Sequence, residues 1–133
     1  MLYLSVAKKS FSKYEAPLTK IAHWLLENEV SGNFCLEVFL VPKKIMNKNV
    51  LAYPALATFP RPDLKGPSLG EIYLNPDYIA ANQESLLYMF IHGFLHLRGY
   101  DHMKKNDRIE MEAREEALIR TLSLKFPDLA SQL

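Results

Sequence analysis

The stretch that organises this chain reads His92-Gly93-Phe94-Leu95-His96-Leu97-Arg98-Gly99-Tyr100-Asp101-His102. It holds three of the chain's four histidines. Residues 84–91, which precede it, are mostly good helix formers and bulky apolar residues, so His92 and His96 are predicted to lie on one helix. Side chains four residues apart project from the same helix face, with Cβ atoms about 5–6 Å apart. Gly99 is predicted to end this helix and to turn the chain so that His102 approaches the other two histidines.

Three imidazoles at this spacing predict a metal site with an open fourth position. Structural zinc sites are usually closed by four protein ligands and are rich in cysteine, whereas catalytic sites keep three ligands and a free position. The single cysteine, Cys35, lies far from the stretch in sequence. We therefore predict one Zn²⁺ ion bound by His92, His96 and His102, although three imidazoles suit several other transition metals.

The same spacing fits a long metallopeptidase pattern, H-E-x-x-H-x-x-G-x-x-H. In that pattern the glutamate after the first histidine is the general base of peptide hydrolysis. Gly93 stands at its position. A zinc peptidase is therefore an alternative that needs a base from elsewhere in the chain.

The stretch also resembles the HGxLHLxGYDH signature of the YbeY family, bacterial endoribonucleases that are also called rRNA maturation factors. Every fixed position of the signature is met: His92, Gly93, Leu95, His96, Leu97, Gly99, Tyr100, Asp101 and His102. Looser matches extend the resemblance over about residues 37–118: Asn47, ALATFP at 55–60 for the family's TDVLSFP, LGEI at 69–72 for LGDI, and EME at 110–112.

This resemblance implies a metal-dependent endoribonuclease that cuts single-stranded RNA. The expected role is maturation of the 3′ end of small-subunit ribosomal RNA, together with ribosome quality control. Ribosomal RNA and the small ribosomal subunit are the expected partners, and no DNA is expected. The attacking group is left open between a metal-activated water and the 2′-hydroxyl of the RNA, and no catalytic residue is assigned.

The chain departs from the family pattern at three places. No arginine precedes residues 55–60, Ala55 replaces an aspartate, and Tyr88 stands where many members have a further histidine. Lys48 and Arg61 are candidates for the missing positive charge. A non-catalytic ribosome-assembly factor with a structural zinc is the alternative if the missing arginine has cost the activity.

Two further residues in the stretch are candidates for roles beside the metal. Asp101 is a candidate for orienting a ligand histidine, a common role for carboxylates near metals, and is equally consistent with a turn-forming aspartate. Arg98 is a candidate for a phosphate contact, although an exposed arginine at a helix end has the same sequence appearance.

Length and composition predict one globular domain over residues 1–133. The family resemblance implies that this domain is a metal-dependent endoribonuclease. The hydrophobic fraction of 49% and the charged fraction of 23% are ordinary for such a domain. A formal net charge of +1 is weak evidence for nucleic-acid binding. The short apolar start, residues 1–6, predicts neither a membrane span nor a signal peptide, and a single cysteine favours the reducing cytoplasm.

The order of predicted elements indicates an α+β domain in which a mixed sheet of about four strands packs with helices. The three-histidine metal site is expected on a late helix and the turn that follows it. The last helix is predicted to face the core through Ile109, Ala113, Ala117 and Leu118. The predicted elements are a strand over 2–6, a helix over 14–30, a strand over 33–41, an extended segment over 51–59, a strand over 69–74, the histidine helix and a helix over 107–124.

Overall fold

A computed structural model describes residues 1–56 and 60–133. Its strands are β1 (Leu2–Val6), β2 (Cys35–Leu40), β3 (Val50–Pro54) and β4 (Ser68–Leu74). A 3₁₀ helix spans Lys9–Tyr14, and the α-helices are α1 (Glu15–Glu29), α2 (Pro76–Ala81), α3 (Leu86–Leu97), α4 (Lys105–Lys125) and α5 (Pro127–Ser131). None of the helices in these described ranges is long and apolar enough to cross a bilayer.

The strands form one mixed sheet in the order β1-β2-β4-β3. β2 pairs in parallel with β1 and β4, whereas β3 runs antiparallel to β4. The predicted α+β class, with a four-stranded mixed sheet and helices, is confirmed. The extended segment predicted over 51–59 is shorter in the structure, because β3 ends at Pro54, which has no amide hydrogen to donate to a ladder. Positions 57–59 of that prediction lie outside the described residues.

Helices α1 and α3 pack against one face of the sheet. Side chains alternate along a strand, so Val38 of β2 and its partner Ile72 of β4 point to the same face, and both are almost fully buried. The core cluster that contains them includes Leu25 of α1 and Phe94 of α3. The opposite face carries Glu37, Phe39, Glu71 and Tyr73, with the rings of Phe39 and Tyr73 stacked at 4.8 Å between centroids.

The core face predicted for the last helix is wrong at two of its four positions. Ile109 and Ala113 are exposed, and only Leu118 of the predicted set is fully buried. The buried stripe of α4 consists of Met111, Glu115, Leu118 and Leu122. The prediction sought apolar side chains only, whereas the helix turns a glutamate into the core at position 115.

Two glycines allow α3 to lie close against β3 and β4. A Cβ atom at Gly93 of α3 would lie 3.0 Å from Cγ2 of Ile72 and 3.2 Å from Cγ2 of Val50. A Cβ atom at Gly70 of β4 would lie 2.9 Å from the side chain of Leu97 and would overlap the carbonyl oxygen of Tyr53. The helix and the two strands therefore meet with little space between them, which fixes the orientation of α3.

We predict that Gly70→Ala destabilises the protein more than Gly99→Ala does. Both glycines have positive φ, +135° and +95°, but a Cβ atom at Gly99 meets no neighbour within 4 Å. Gly99→Ala should cost about 1–2 kcal/mol of left-handed strain, and Gly70→Ala about 2–5 kcal/mol because overpacking adds to the strain. Equilibrium unfolding in urea measures both losses. Equal losses would contradict the close approach at Gly70.

Candidate metal centre

Helix α3 begins and ends where local sequence signals place it. The Ser85 hydroxyl accepts a hydrogen bond from the amide of Tyr88 at 3.2 Å, which caps the first turn. At the other end the amide of Gly99 donates to the carbonyl of His96 at 3.1 Å, and that of Tyr100 donates to the carbonyl of Leu95 at 3.0 Å. This pair of bonds is a Schellman motif, with Gly99 in the left-handed conformation that the motif requires. The predicted helix and its glycine stop are confirmed.

The turn after α3 brings the third histidine to the first two. The Oδ1 atom of Asp101 accepts hydrogen bonds from the backbone amides of His102 at 2.6 Å and Met103 at 3.2 Å. Asp101 therefore forms the turn. One ligand atom from each of His92, His96 and His102 then lies within 4.8 Å of the others. The structure therefore brings the three histidines into one group that could hold a metal ion.

Hydrogen bonds leave the same ring nitrogen of two histidines available as a metal ligand. Nδ1 of His92 lies 3.1 Å from Oε2 of Glu115, and Nδ1 of His96 lies 3.1 Å from the carbonyl oxygen of Tyr100. A carboxylate and a carbonyl accept hydrogen bonds, so each Nδ1–H donates and each Nε2 of the neutral ring keeps its lone pair. These two Nε2 atoms lie 3.1 Å apart. Two nitrogens on one tetrahedral ion, each at about 2.0–2.1 Å, would lie about 3.3 Å apart. The donor set and its spacing therefore fit a transition-metal ion such as zinc.

Burial and mutual repulsion favour the neutral form of the central histidine. The pKa of His96 is lowered first by burial and then by the positive charge that His92 and His102 carry when protonated. Neutral imidazole is the form that binds metals. His92 and His96 are partly buried while His102 is exposed, so the site is open to solvent on the side of His102.

Tyr88 lies one turn before His92 on the same face of α3. The two rings are nearly parallel, at 19°, with centroids 6.4 Å apart. Burial, followed by interaction with the carboxylate of Glu115, raises the pKa of Tyr88 to about 12. The phenol therefore stays protonated at neutral pH and can donate a hydrogen.

The basic residues that were candidates for a role beside the metal lie at different distances from the three histidines. Arg61 donates to Glu37 at 2.9 Å and to Asp63 at 2.8 Å, and lies 3.9 Å from Glu71. Hydrogen bonds to Asp63 and Glu37 raise the pKa of Arg61, and the bond from Arg61 lowers the pKa of Asp63. Since Glu37 and Glu71 lie on the sheet face opposite the helices, the structure does not bring this guanidinium to the histidines.

Lys48 and Arg98 are both exposed. Lys48 precedes Asn49, whose amide group donates to Glu84 at 3.1 Å, just before the start of α3. Lys48 therefore lies towards the N-terminal end of the helix, whereas the histidines lie in its second half and beyond. Arg98 is the C-cap of α3, two residues after His96, so it is the candidate cation nearest to the histidines in sequence.

Sequence reasoning missed Glu115, the carboxylate that contacts a histidine of the group. One signal was present, because Met111, Leu118 and Leu122 recur at helical spacing and place position 115 on the same stripe. A glutamate at a buried position of such a stripe calls for a partner. The sequence offered no means of naming that partner, because His92 is 23 residues away.

Comparisons with known proteins agree with the family resemblance. The model of the family described as Endoribonuclease YbeY matches residues 7–123. Proteins named Endoribonuclease YbeY are similar to this chain in Agrobacterium fabrum, 34% identical over 87 residues, and in Mycoplasma mobile, 33% identical over 91 residues. The matches cover 59% and 62% of this chain, and 51% and 60% of those two proteins.

A third relative of that name, from Bartonella henselae, is 34% identical over 94 residues, 63% of this chain and 58% of the relative. The chain thus spans between about half and three fifths of the curated relatives it matches. The family match itself extends over most of the chain and includes all three histidines of the group. On that match, the chain belongs to the YbeY family.

Proposed function

We propose that this protein is a zinc-dependent endoribonuclease that cuts single-stranded RNA. Its proposed role is maturation of the 3′ end of small-subunit ribosomal RNA and ribosome quality control, with the small subunit as partner. We further propose that residues 1–133 act as one domain and that the protein works in the cytoplasm. The observation that carries the proposal is the convergence of His92, His96 and His102 in a chain whose relatives are named endoribonucleases.

The chemistry follows from what each residue can do. When bound, zinc supplies a Lewis acid for a phosphate oxygen and activates water at neutral pH. His92 and His96 offer Nε2 lone pairs because their Nδ1 atoms are engaged by Glu115 and the carbonyl of Tyr100. Asp101 holds the turn that carries His102. The attacking group is either water or the 2′-hydroxyl of the RNA itself.

A non-catalytic ribosome-assembly factor is the second candidate. It is supported by the ion pairs of Arg61, because this arginine is a candidate for the cation that the family carries before residues 55–60. Three carboxylates surround this arginine on the sheet face opposite the helices. In that case the histidines bind a structural zinc and the protein acts by binding the small subunit.

A zinc peptidase is disfavoured by the surroundings of Gly93. In the peptidase pattern the residue at this position projects towards the metal as a general base. Here position 93 faces the sheet, where Ile72 and Val50 leave no room even for a methyl group without adjustment. A glutamate side chain at 93 would enter the core and would not reach the open side of the histidines.

We predict that His96→Ala abolishes both zinc binding and RNA cleavage. Loss of a ligand should weaken zinc binding by more than the roughly 10–100-fold that loss of an outer-shell partner costs. His23→Ala is the matched control, because His23 is exposed on α1 and lies outside the histidine group. The measurements are zinc affinity by chelator competition and cleavage of end-labelled single-stranded RNA with and without chelator.

The three outcomes of this experiment are distinct. Zinc-dependent cleavage by the wild type and His23→Ala, but not by His96→Ala, supports the endoribonuclease. Zinc binding without cleavage, together with co-sedimentation on small subunits, favours the assembly factor. Full zinc occupancy and undiminished cleavage in His96→Ala would contradict the proposed metal site.

We also predict that Gly93→Glu destabilises the fold and creates no peptidase. A charged side chain forced between α3 and the sheet should cost more than about 3 kcal/mol, because burial of an unpaired charge adds to overpacking. Met89→Glu adds the same charge to α3 at a partly exposed position and should cost less. Urea unfolding and a casein-cleavage assay test both parts. A stable Gly93→Glu variant that cleaves casein would revive the peptidase.

A further inference from the structure

Glu115 occupies a place in the core that an apolar side chain would normally fill. Only 2% of its surface is exposed, and it lies on the buried stripe of α4 between Met111 and Leu118. Burying a carboxylate is costly unless it is paired and hydrogen-bonded. Among the residues that the structure describes, the only ion pair recorded for Glu115 joins Oε2 to Nδ1 of His92 at 3.1 Å. The buried charge is therefore directed at a histidine of the group.

Tyr88 faces the same carboxylate from α3. Its ring lies nearly parallel to that of His92 one helical turn away. The carboxylate of Glu115 is near enough to the phenol to raise the pKa of Tyr88. Tyr88 is itself partly buried, so water competes only weakly for its hydroxyl. The carboxylate of Glu115 thus lies at hydrogen-bond distance from the imidazole of His92, and the phenol of Tyr88 is a second group nearby that is able to donate.

We infer that Glu115 and Tyr88 form a positioning pair that holds His92 with its Nε2 atom directed at the metal. The inference rests on the proposed metal site and adds to it the residues that prepare one ligand. Glu115 accepts the Nδ1 hydrogen of His92, so the ring keeps the tautomer whose Nε2 lone pair is free. Tyr88 holds the carboxylate in place and limits rotation of the ring beside it.

His96 has a corresponding partner, because a backbone carbonyl accepts its Nδ1 hydrogen in the way that Glu115 accepts that of His92. Nδ1 of His96 donates to the carbonyl of Tyr100, which the Schellman turn fixes. His92 lies in mid-helix, where backbone carbonyls are already used by the helix itself. Its Nδ1 atom needs a side-chain acceptor, and α4 supplies one from the core. Such partners typically contribute 10–100-fold to metal affinity.

The test compares metal affinity with the stability of the metal-free protein. Leu and Glu are similar in size, so Glu115→Leu removes the acceptor and leaves the stripe on α4 filled. Zinc affinity should fall by about 10–100-fold. Metal-free stability should stay equal or rise, because an apolar side chain replaces a buried charge. If Glu115 had only a structural role, the Glu115→Leu protein would lose metal-free stability and keep its zinc affinity. The two roles therefore predict opposite results in the two measurements.

Two further variants and one spectroscopic readout complete the experiment. Tyr88→Phe removes only the hydroxyl and should weaken zinc binding less than Glu115→Leu does, and Glu116→Gln is the exposed control on the same helix. NMR of ¹⁵N-labelled, metal-free protein at about pH 8, where imidazoles are neutral, should show His92 as the Nδ1–H tautomer. That preference should weaken in Glu115→Leu.

The possible results separate this inference from the metal site itself. If the wild type binds zinc no better than His96→Ala, the metal site fails and the positioning pair with it. If the wild type binds zinc tightly and Glu115→Leu binds it equally well, the metal site stands and the positioning pair is overturned. A metal-free wild type in which His92 carries its hydrogen on Nε2 also overturns it. Should Glu115→Leu fold poorly, Tyr88→Phe and the wild-type tautomer still decide the question.

Discussion

The close contact between α3 and the strands β3 and β4 is the constraint on which the rest of the site depends. Gly93 faces Ile72 and Val50, and Leu97 lies against Gly70. Once this side of α3 is pressed against the sheet, the side that carries Tyr88, His92 and His96 must turn away from it. The absence of a side chain at position 93 therefore sets the direction in which the histidines point, as well as excluding a base from that position.

Helix α4 encloses α3 from the side that the sheet leaves uncovered. It covers the other side of α3 and buries Glu115 next to His92. The result is a histidine held between two layers, with a sheet behind its helix and a carboxylate beside its ring. No hydrogen bond from the described residues, 1–56 and 60–133, reaches the ring of His102, which lies on the turn and is exposed. The histidine group is thus held by hydrogen bonds on the side of α3 and α4 and is open to solvent on the side of the turn.

Features that depend on local geometry were predictable from the sequence, and those that join distant residues were not. The spacing of His92 and His96 and the stop at Gly99 follow from one helical turn and one Schellman motif. The sequence alone was therefore sufficient to predict both. The bonds of Glu115 to His92 and of Arg61 to Glu37 join residues 23 and 24 positions apart, and no periodicity predicts them. Glu115 lies where an apolar residue was expected, which is why the core face of α4 was placed wrongly.

Electrostatics link the metal to the proposed substrate. The chain has a net charge of only +1, and Arg61 is neutralised by the carboxylates around it. Each phosphate that a basic side chain neutralises on single-stranded RNA contributes about −0.7 to the slope of log affinity against log salt concentration. A bound divalent ion would then be the largest positive charge in the site. Since coupling between two ligands is reciprocal, an ion that strengthens RNA binding is itself held more tightly when RNA is bound. The loss of RNA affinity on removal of the metal, and the loss of metal affinity in the absence of RNA, would then measure the same coupling free energy.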